Sequence, residues 1–304
     1  MTFLNFKTNP ATTLNVGNKN IHIFDENQNK NIDWEVVNSF GNEWSRFNNF
    51  EDKEIDQIGD QYFDIAKNIL NKNTLVLDVG CGTGRWSKYL SGKVKSIEAI
   101  DPSEAVFAAS KLLENVPNVR ISKAGVDAMP FEDNSFDLVF SLGVLHHIPN
   151  TAEAMKQCVK KVKPGGHFLV YLYYALDNRG RIFKSLFYAS NIVRSIVSKL
   201  PQGLKNLFCD LIAFFIYGPF VLLSKLINKI PILKRYVHYL PLSFYKDTSF
   251  HIIRNDALDR FGTSLEQRFS KEEIGKMMTA CGLTNIQFSE REPYWHAIGQ
   301  KGIS

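Results

Sequence analysis

The stretch Val76-Leu77-Asp78-Val79-Gly80-Cys81-Gly82-Thr83-Gly84-Arg85-Trp86 constrains the fold more than any other part of the chain. An apolar run closes on a carboxylate, and glycines then take alternate positions before a helical pattern begins. Such a run reads as a strand that brings Asp78 to the edge of a sheet and turns at once into a helix. Glycine tolerates positive φ and lets a ligand reach the backbone. The helix start adds unpaired N–H groups at a positive dipole end. A nucleotide phosphate or the amino-acid end of a ligand suits such a turn. The spacing Gly80-x-Gly82-x-Gly84 departs from the GxGxxG of dinucleotide folds, and the GK[ST] of a phosphate loop is absent.

Strand candidates LVLDV (75–79), SIEAID (96–101), VRISKA (119–124), FDLVFSL (136–142) and HFLVYLYY (167–174) alternate with helical stretches at 86–90, 103–115 and 151–162. Strands that are apolar almost throughout, separated by helices, imply a parallel sheet covered on both faces. Residues 1–50 form a polar, Asn-rich lead-in, irregular or a small hairpin, and 51–178 carry the core. Its first segment, 51–71, has helical spacing at Ile55, Ile58, Tyr62, Ile65 and Ile69. Residues 179–265 break the rhythm, and 266–304 resume it. There SKEEIGKMMTACG reads as a helix with Ser270 and Glu273 as a capping box and Gly282 as its end, followed by two closing strands.

Acids follow the strands in order. Asp101, about 20 residues past the glycines, can accept both hydroxyls of a ribose. Asp127 follows the third strand, where it can accept a hydrogen bond from an adenine amino group. As a set, VLDVGCGTG, AIDPS, AGVDAMPFEDNSFDLVFSLGVLHHIPN and VKPGGHFLV resemble the class I S-adenosylmethionine-dependent methyltransferases of the small-molecule type, over about residues 70–176 and again 268–300. The resemblance implies a Rossmann-like, doubly wound α/β fold. Its sheet is seven-stranded and mostly parallel, with an antiparallel last strand and a helical cap inserted after the fifth. It implies S-adenosyl-L-methionine as cofactor and no metal. By the same resemblance Gly80, Cys81, Gly82 and Gly84 form the cofactor loop, and Asp78 helps hold the methionine amino group. Asp101, with Pro102 beside it, takes the ribose; Asp127 and Ala128 frame the adenine; Ser141 and Leu142 line the sulfonium side. Trp86 either covers the methionine tail or packs helix on sheet.

Methyl transfer from a sulfonium is an in-line displacement, accelerated by holding nucleophile and methyl together in a dry pocket. A base is needed only where the acceptor must lose a proton. His146 and His147, after the fourth strand, are the candidates for base or orienting group. An Asp or Asn followed by Pro-Pro-aromatic is missing there, which argues against a nucleobase N-methyltransferase. Phe40-Gly41-Asn42-Glu43-Trp44 and Gln61-Tyr62-Phe63-Asp64 suit a lid or plain docking. Tyr245, His251 and Arg254 are candidates for recognising an oxygenated acceptor.

From 179 to 240 the chain carries ten Lys or Arg against one acid, Asp210, while the whole chain is only +5. Apolar residues recur at helical spacing, and Pro201, Pro219 and Pro231 divide the segment into three expected helices. Its most apolar stretch, 211–223, is broken by Gly218-Pro219 and is too short to span a bilayer. The segment reads as a cap over the acceptor pocket, packed on its own core or on a second copy in a homodimer, or as a peripheral surface on anionic lipid. Nucleic acid is disfavoured because aliphatic side chains stand where stacking aromatics would be needed. Cys81, Cys158, Cys209 and Cys281 are dispersed, which fits a reducing cytoplasm. The opening residues lack the order of a secretory signal. The expected activity is methyl transfer to a small hydrophobic molecule, at oxygen. Its rivals are a membrane-associated methyltransferase of a lipid, quinone or lipid-linked sugar, and a non-catalytic cofactor-binding protein.

Overall fold

A computed structural model describes residues 3–25, 30–46, 51–178 and 180–303. Along the chain run β1 (Thr12–Val16), β2 (Lys19–Ile23), α1 (Trp34–Arg46), α2 (Asp52–Tyr62), β3 (Leu75–Val79), α3 (Arg85–Ser91), β4 (Ser96–Asp101), α4 (Ala105–Leu112), β5 (Val119–Lys123), β6 (Phe136–Leu142), α5 (Thr151–Lys161) and β7 (Val162–Tyr171). Then follow α6 (Arg181–Val197), α7 (Gln202–Ile212), α8 (Gly218–Asn228), α9 (Phe250–Gly262), α10 (Lys271–Ala280), β8 (Leu283–Phe288) and β9 (His296–Lys301). The chain divides into two units, residues 1–177 with 265–304, and residues 178–264.

In the first unit the sheet order is β1-β2-β5-β4-β3-β6-β7-β9-β8. The pairs among β5, β4, β3, β6 and β7 are parallel, and β9 runs antiparallel to β7. Alternate side chains of each strand supply two separate cores. Val76, Ile97, Leu138 and Phe140 meet Trp86, Leu90, Val106 and Leu113 on one face. Leu77, Val79, Val139 and Phe168 meet Met155, Cys158, Ile274 and Met278 on the other. This two-sided burial explains why the strands read as continuous apolar runs, and β4 is buried at every position. The chain winds outward from β3 in one direction and from β6 in the other, so the gap between their carboxyl ends is the switch point where ligands bind in such sheets. Ser270 and Glu273 form the expected capping box on α10.

Three sequence expectations need correction in this unit. The sheet has nine strands rather than seven, because β1 and β2 form a hairpin across the two-residue Gly17-Asn18 turn. β2 then lies parallel on β5, with Ile21 opposite Ile121, and covers what would be an open edge. The fifth core strand begins at Val162, not His167: Pro164, Gly165 and Gly166 sit at a register shift opposite Phe136 and Leu138, where a bulge accommodates a residue without an N–H. The helical pattern read over 51–71 stops at Tyr62, and Asp64–Ile69 is a 3-10 turn.

The second unit is helical. Pro219 does not divide it as the sequence suggested: α7 runs into α8 through a π-helical stretch at Ala213–Tyr217, giving one helix of 27 residues, Gln202–Asn228. The wide turn, in which the Gly218 N–H bonds to the Ala213 carbonyl, makes room for a proline ring that would strike the carbonyl four residues back in an α-helix. By length and composition this helix could cross a membrane, although 33% of its most apolar window is buried. Cys209, Ala213, Tyr217 and Val221 form the buried stripe. α7 packs on α9, and Arg254 of α9 clamps Asp210 of α7 through two hydrogen bonds of 2.9 Å each.

Candidate functional site

β3 ends at the Gly80–Gly84 turn, whose backbone is tied to the neighbouring strand. Gly80 N and Cys81 N donate to the Ile100 carbonyl at 2.8 and 2.9 Å, and Gly84 N closes the turn on the Cys81 carbonyl at 2.8 Å. The three glycines have different tasks. A Cβ on Gly80 would lie 2.5 Å from Val144 methyls, and one on Gly84 would lie 2.6 Å from Leu113. Those two therefore allow close packing. At Gly82, with φ +53°, a Cβ would face only the Trp44 indole, at 3.3 Å. Gly82 thus faces Trp44 of α1 rather than the core packing that surrounds the other two. Thr83, in the same turn, has a buried hydroxyl with no hydrogen-bond partner.

Two buried carboxylates flank the turn. Asp78, 1% exposed, accepts from Ser87 Oγ at 2.7 Å. Burial raises its pKa to about 7, the Ser87 bond opposes this, and the charge of Asp101 adds to the rise. Asp101 accepts from Gly82 N at 2.9 Å and from Ser103 N and Oγ at 2.9 and 2.6 Å, and burial raises its pKa as well. The acid expected to take ribose hydroxyls thus also braces the glycine turn. Pro102 and Ser103 line a cavity of about 300 Å³ together with Trp34, Val37 and Asn38 of α1.

Asp127 lies in the 3-10 turn Val126–Ala128 after β5, beside Ala128. One of its oxygens accepts from the backbone amides of Lys30 and Asn31 at 3.0 and 2.6 Å. The Asn31 side chain makes two 2.8 Å bonds with the backbone of Asn150. The segment leading into α1 is therefore strapped across the edge where the adenine was expected. Ser141 Oγ donates to the Val79 carbonyl at 2.9 Å, and Leu142 is buried beside it. Trp86 is buried, with Tyr62 at 5.1 Å and the Arg85 guanidinium at 4.5 Å. Cys81 is buried, and its thiol is pushed well above the usual range.

Past β6, Val144 touches the glycine turn and His146 and His147 follow. Tyr173 N donates to His146 Nδ1 at 3.3 Å, so a neutral His146 carries its proton on Nε2. Burial drives its pKa well below the ordinary value, and any positive charge on His147 or Arg268 adds to the fall. His147, when neutral, is the opposite tautomer: its Nδ1 lies 2.8 Å from the Leu265 carbonyl, which can only accept, so the lone pair is then on Nε2. The rings lie 4.1 Å apart, with Phe40 against His147 at 4.8 Å and Tyr173 stacked on His146 at 3.9 Å. His146 is set up as a donor and His147 as an acceptor.

Tyr245, His251 and Arg254 lie in the second unit. Arg254 is engaged by Asp210, and the Tyr245 hydroxyl donates to Asp256. Both contacts hold that unit's own elements together. Of the 40–44 cluster, the side chains of Asn42 and Glu43 lie outside the described residues. The sequence reading missed Thr83, Ser87, Asn31 and Trp44's position over Gly82. Only Thr83 carried a signal, a hydroxyl between two glycines.

A cationic ligand would relieve the two buried acids, and a polar end would satisfy Thr83; the acceptor set fits a group bearing an ammonium and a ribose. A family model described as a methyltransferase domain matches residues 77–170. The chain is 36% identical over 104 residues to tRNA U34 carboxymethyltransferase of Pseudoalteromonas atlantica, covering 33% of this chain and 32% of that protein. It is 30% identical over 164 residues to ubiquinone biosynthesis O-methyltransferase of Pseudomonas fluorescens, covering 53% and 67%. The protein of the same name in Acinetobacter baumannii is 31% identical over 132 residues, covering 42% and 53%. The chain thus spans between about a third and two thirds of the length of these curated relatives.

Proposed function

For a chain that belongs to the class I S-adenosylmethionine-dependent methyltransferases, we propose that the acceptor is a small hydrophobic molecule methylated on oxygen. The observation that carries this reading is the tautomer of His147. Its Nδ1–H is committed to the Leu265 carbonyl, which leaves Nε2 as a proton acceptor at the carboxyl edge of the sheet. A hydroxyl acceptor must shed a proton as it attacks, so such a nitrogen suits oxygen better than a thioether or tertiary amine. The aromatic surroundings, Phe40 and Tyr173, favour an apolar acceptor body. Relatives named ubiquinone biosynthesis O-methyltransferase support the choice of atom.

S-adenosylmethionine, when bound, supplies a methyl group on a positively charged sulfur. Asp78 would hold its ammonium, Asp101 its ribose, and the remaining capacity of Asp127 its adenine, with the Gly82 backbone and Thr83 hydroxyl against the methionine end. His146 keeps its proton at Nε2 and orients the acceptor oxygen as a donor. His147 Nε2 would take the proton that the acceptor oxygen loses. Trp44 and α1 exclude water from the turn.

The test is transfer of labelled methyl to a panel of hydrophobic phenols and hydroquinones. His147→Gln should lower kcat about 100-fold or more while leaving cofactor affinity unchanged, the usual scale for a lost general base. Undiminished kcat in that variant removes His147 from the chemistry. Turnover confined to amines or to RNA removes the oxygen acceptor.

A further inference from the structure

The second unit leaves most of its long helix uncovered. Leu207, Leu211, Phe214, Phe215, Leu222 and Leu226 lie on the side opposite the buried stripe, and Phe214 and Phe215 are 61% and 67% exposed. Ile192 and Ile196 of α6 are 66% and 62% exposed as well. Exposed apolar patches on soluble monomers rarely extend over several helical turns, and those that do mark docking surfaces. Cations surround this one: Lys199, Lys225, Lys229, Lys234 and Arg235 are all exposed. The sole acid between 179 and 240, Asp210, is engaged by Arg254.

We propose that this face docks in the plane of an anionic lipid bilayer, with the apolar stripe among the acyl chains and the lysines on the headgroups. Charge decides between occupants. A second copy would bring the same positive face against itself, whereas an acidic headgroup layer complements it and still receives the apolar side chains. A nucleic acid would match the charge but leave the Leu and Phe stripe in water. The helix lies along the surface rather than crossing it. Its buried stripe is covered by α9, and a crossing would carry the charged Arg254, Asp256, Asp259 and Arg260 of α9 into hydrocarbon. The surface belongs to the second unit and stands whichever acceptor the first unit methylates.

The test is co-sedimentation of the full chain with vesicles of phosphatidylcholine alone or mixed with phosphatidylglycerol. The protein should sediment with the mixed vesicles, be released by alkaline carbonate, and bind neutral vesicles about tenfold less. Phe214→Ser with Phe215→Ser should cut binding to the mixed vesicles about tenfold or more, the scale of two buried phenyl rings. Lys225→Glu with Lys229→Glu should do the same while keeping the apolar stripe. All four side chains are exposed, and an unchanged cofactor titration reports that the variants remain folded. Failure to bind mixed vesicles, equal binding to neutral ones, insensitivity to both variant pairs, resistance to alkaline carbonate, or a dimer that the serine pair dissolves without any lipid binding would each overturn the proposal.

Discussion

The sheet strands of the first unit and the long helix of the second are both rich in apolar residues, yet they use that property in opposite ways. β4 is buried at all its positions because helices cover both faces of the sheet. The helix from 202 to 228 buries one stripe and leaves another, just as apolar, in solvent. Charge follows the same division. The first unit gathers buried acids, Asp78 and Asp101, around a turn; the second gathers exposed cations around an apolar face. Apolar composition alone therefore says that a surface seeks cover, and the charge beside it says what the cover is: a cationic small molecule in one unit, an anionic layer in the other.

Substitution at Gly82 should separate the two regions most sharply. Gly82→Val places a β-branched side chain at φ +53° and against the Trp44 indole. It should reduce S-adenosylmethionine affinity about 100-fold or more, about 3 kcal/mol, by calorimetry, with vesicle binding unaltered. A variant that binds the cofactor normally would show that Gly82 faces no ligand.

The pH dependence of cofactor binding is the next largest effect. Burial lifts Asp78 to about 7, above the ~3.9 of an unfolded aspartate. Between those values the native state holds a proton that the unfolded chain has lost. The stability of the cofactor-free protein should therefore fall as pH rises from about 4 to 7 and level off above. A cationic cofactor binds the ionised carboxylate and expels that proton. Its affinity should rise towards tenfold per pH unit below 7 and flatten above, and Asp78→Asn should remove the slope. A flat profile in the parent protein would detach Asp78 from the ligand.

The smallest effect belongs to the second unit. Arg254→Ala breaks the clamp on Asp210 and should weaken that unit by about 1–2 kcal/mol, given partial exposure of the pair. Amide exchange in α7 and α9 should quicken while β3 and β6 and cofactor affinity stay as they were. A loss of acceptor affinity without any change in exchange would return Arg254 to the recognition role its sequence position suggested.

The legible parts of this chain were those governed by local rules. β3, β4 and β6 begin and end where their apolar runs do, and Ser270 with Glu273 marks its helix start through reciprocal bonds within four residues. What escaped the sequence depends on distant partners. The hairpin of β1 and β2 joins the sheet because β5, about 100 residues away, has an edge to cover. Asp127 meets the amides of Lys30 and Asn31 across a similar separation. Pro219 sits inside a helix because a π turn absorbs its ring, a local outcome that proline normally forbids. The tautomers of His146 and His147 follow from Tyr173 and Leu265, which no spacing rule connects to them.

Titration of the 304-residue chain with S-adenosylmethionine at pH 8, followed by calorimetry and competed with S-adenosylhomocysteine, tests most directly whether the glycine turn and its two acids form a cofactor cradle. One saturable site per chain, displaced by the homocysteine analogue and indifferent to NAD, is the expected result. No heat at millimolar ligand, or equal competition by NAD, would contradict it.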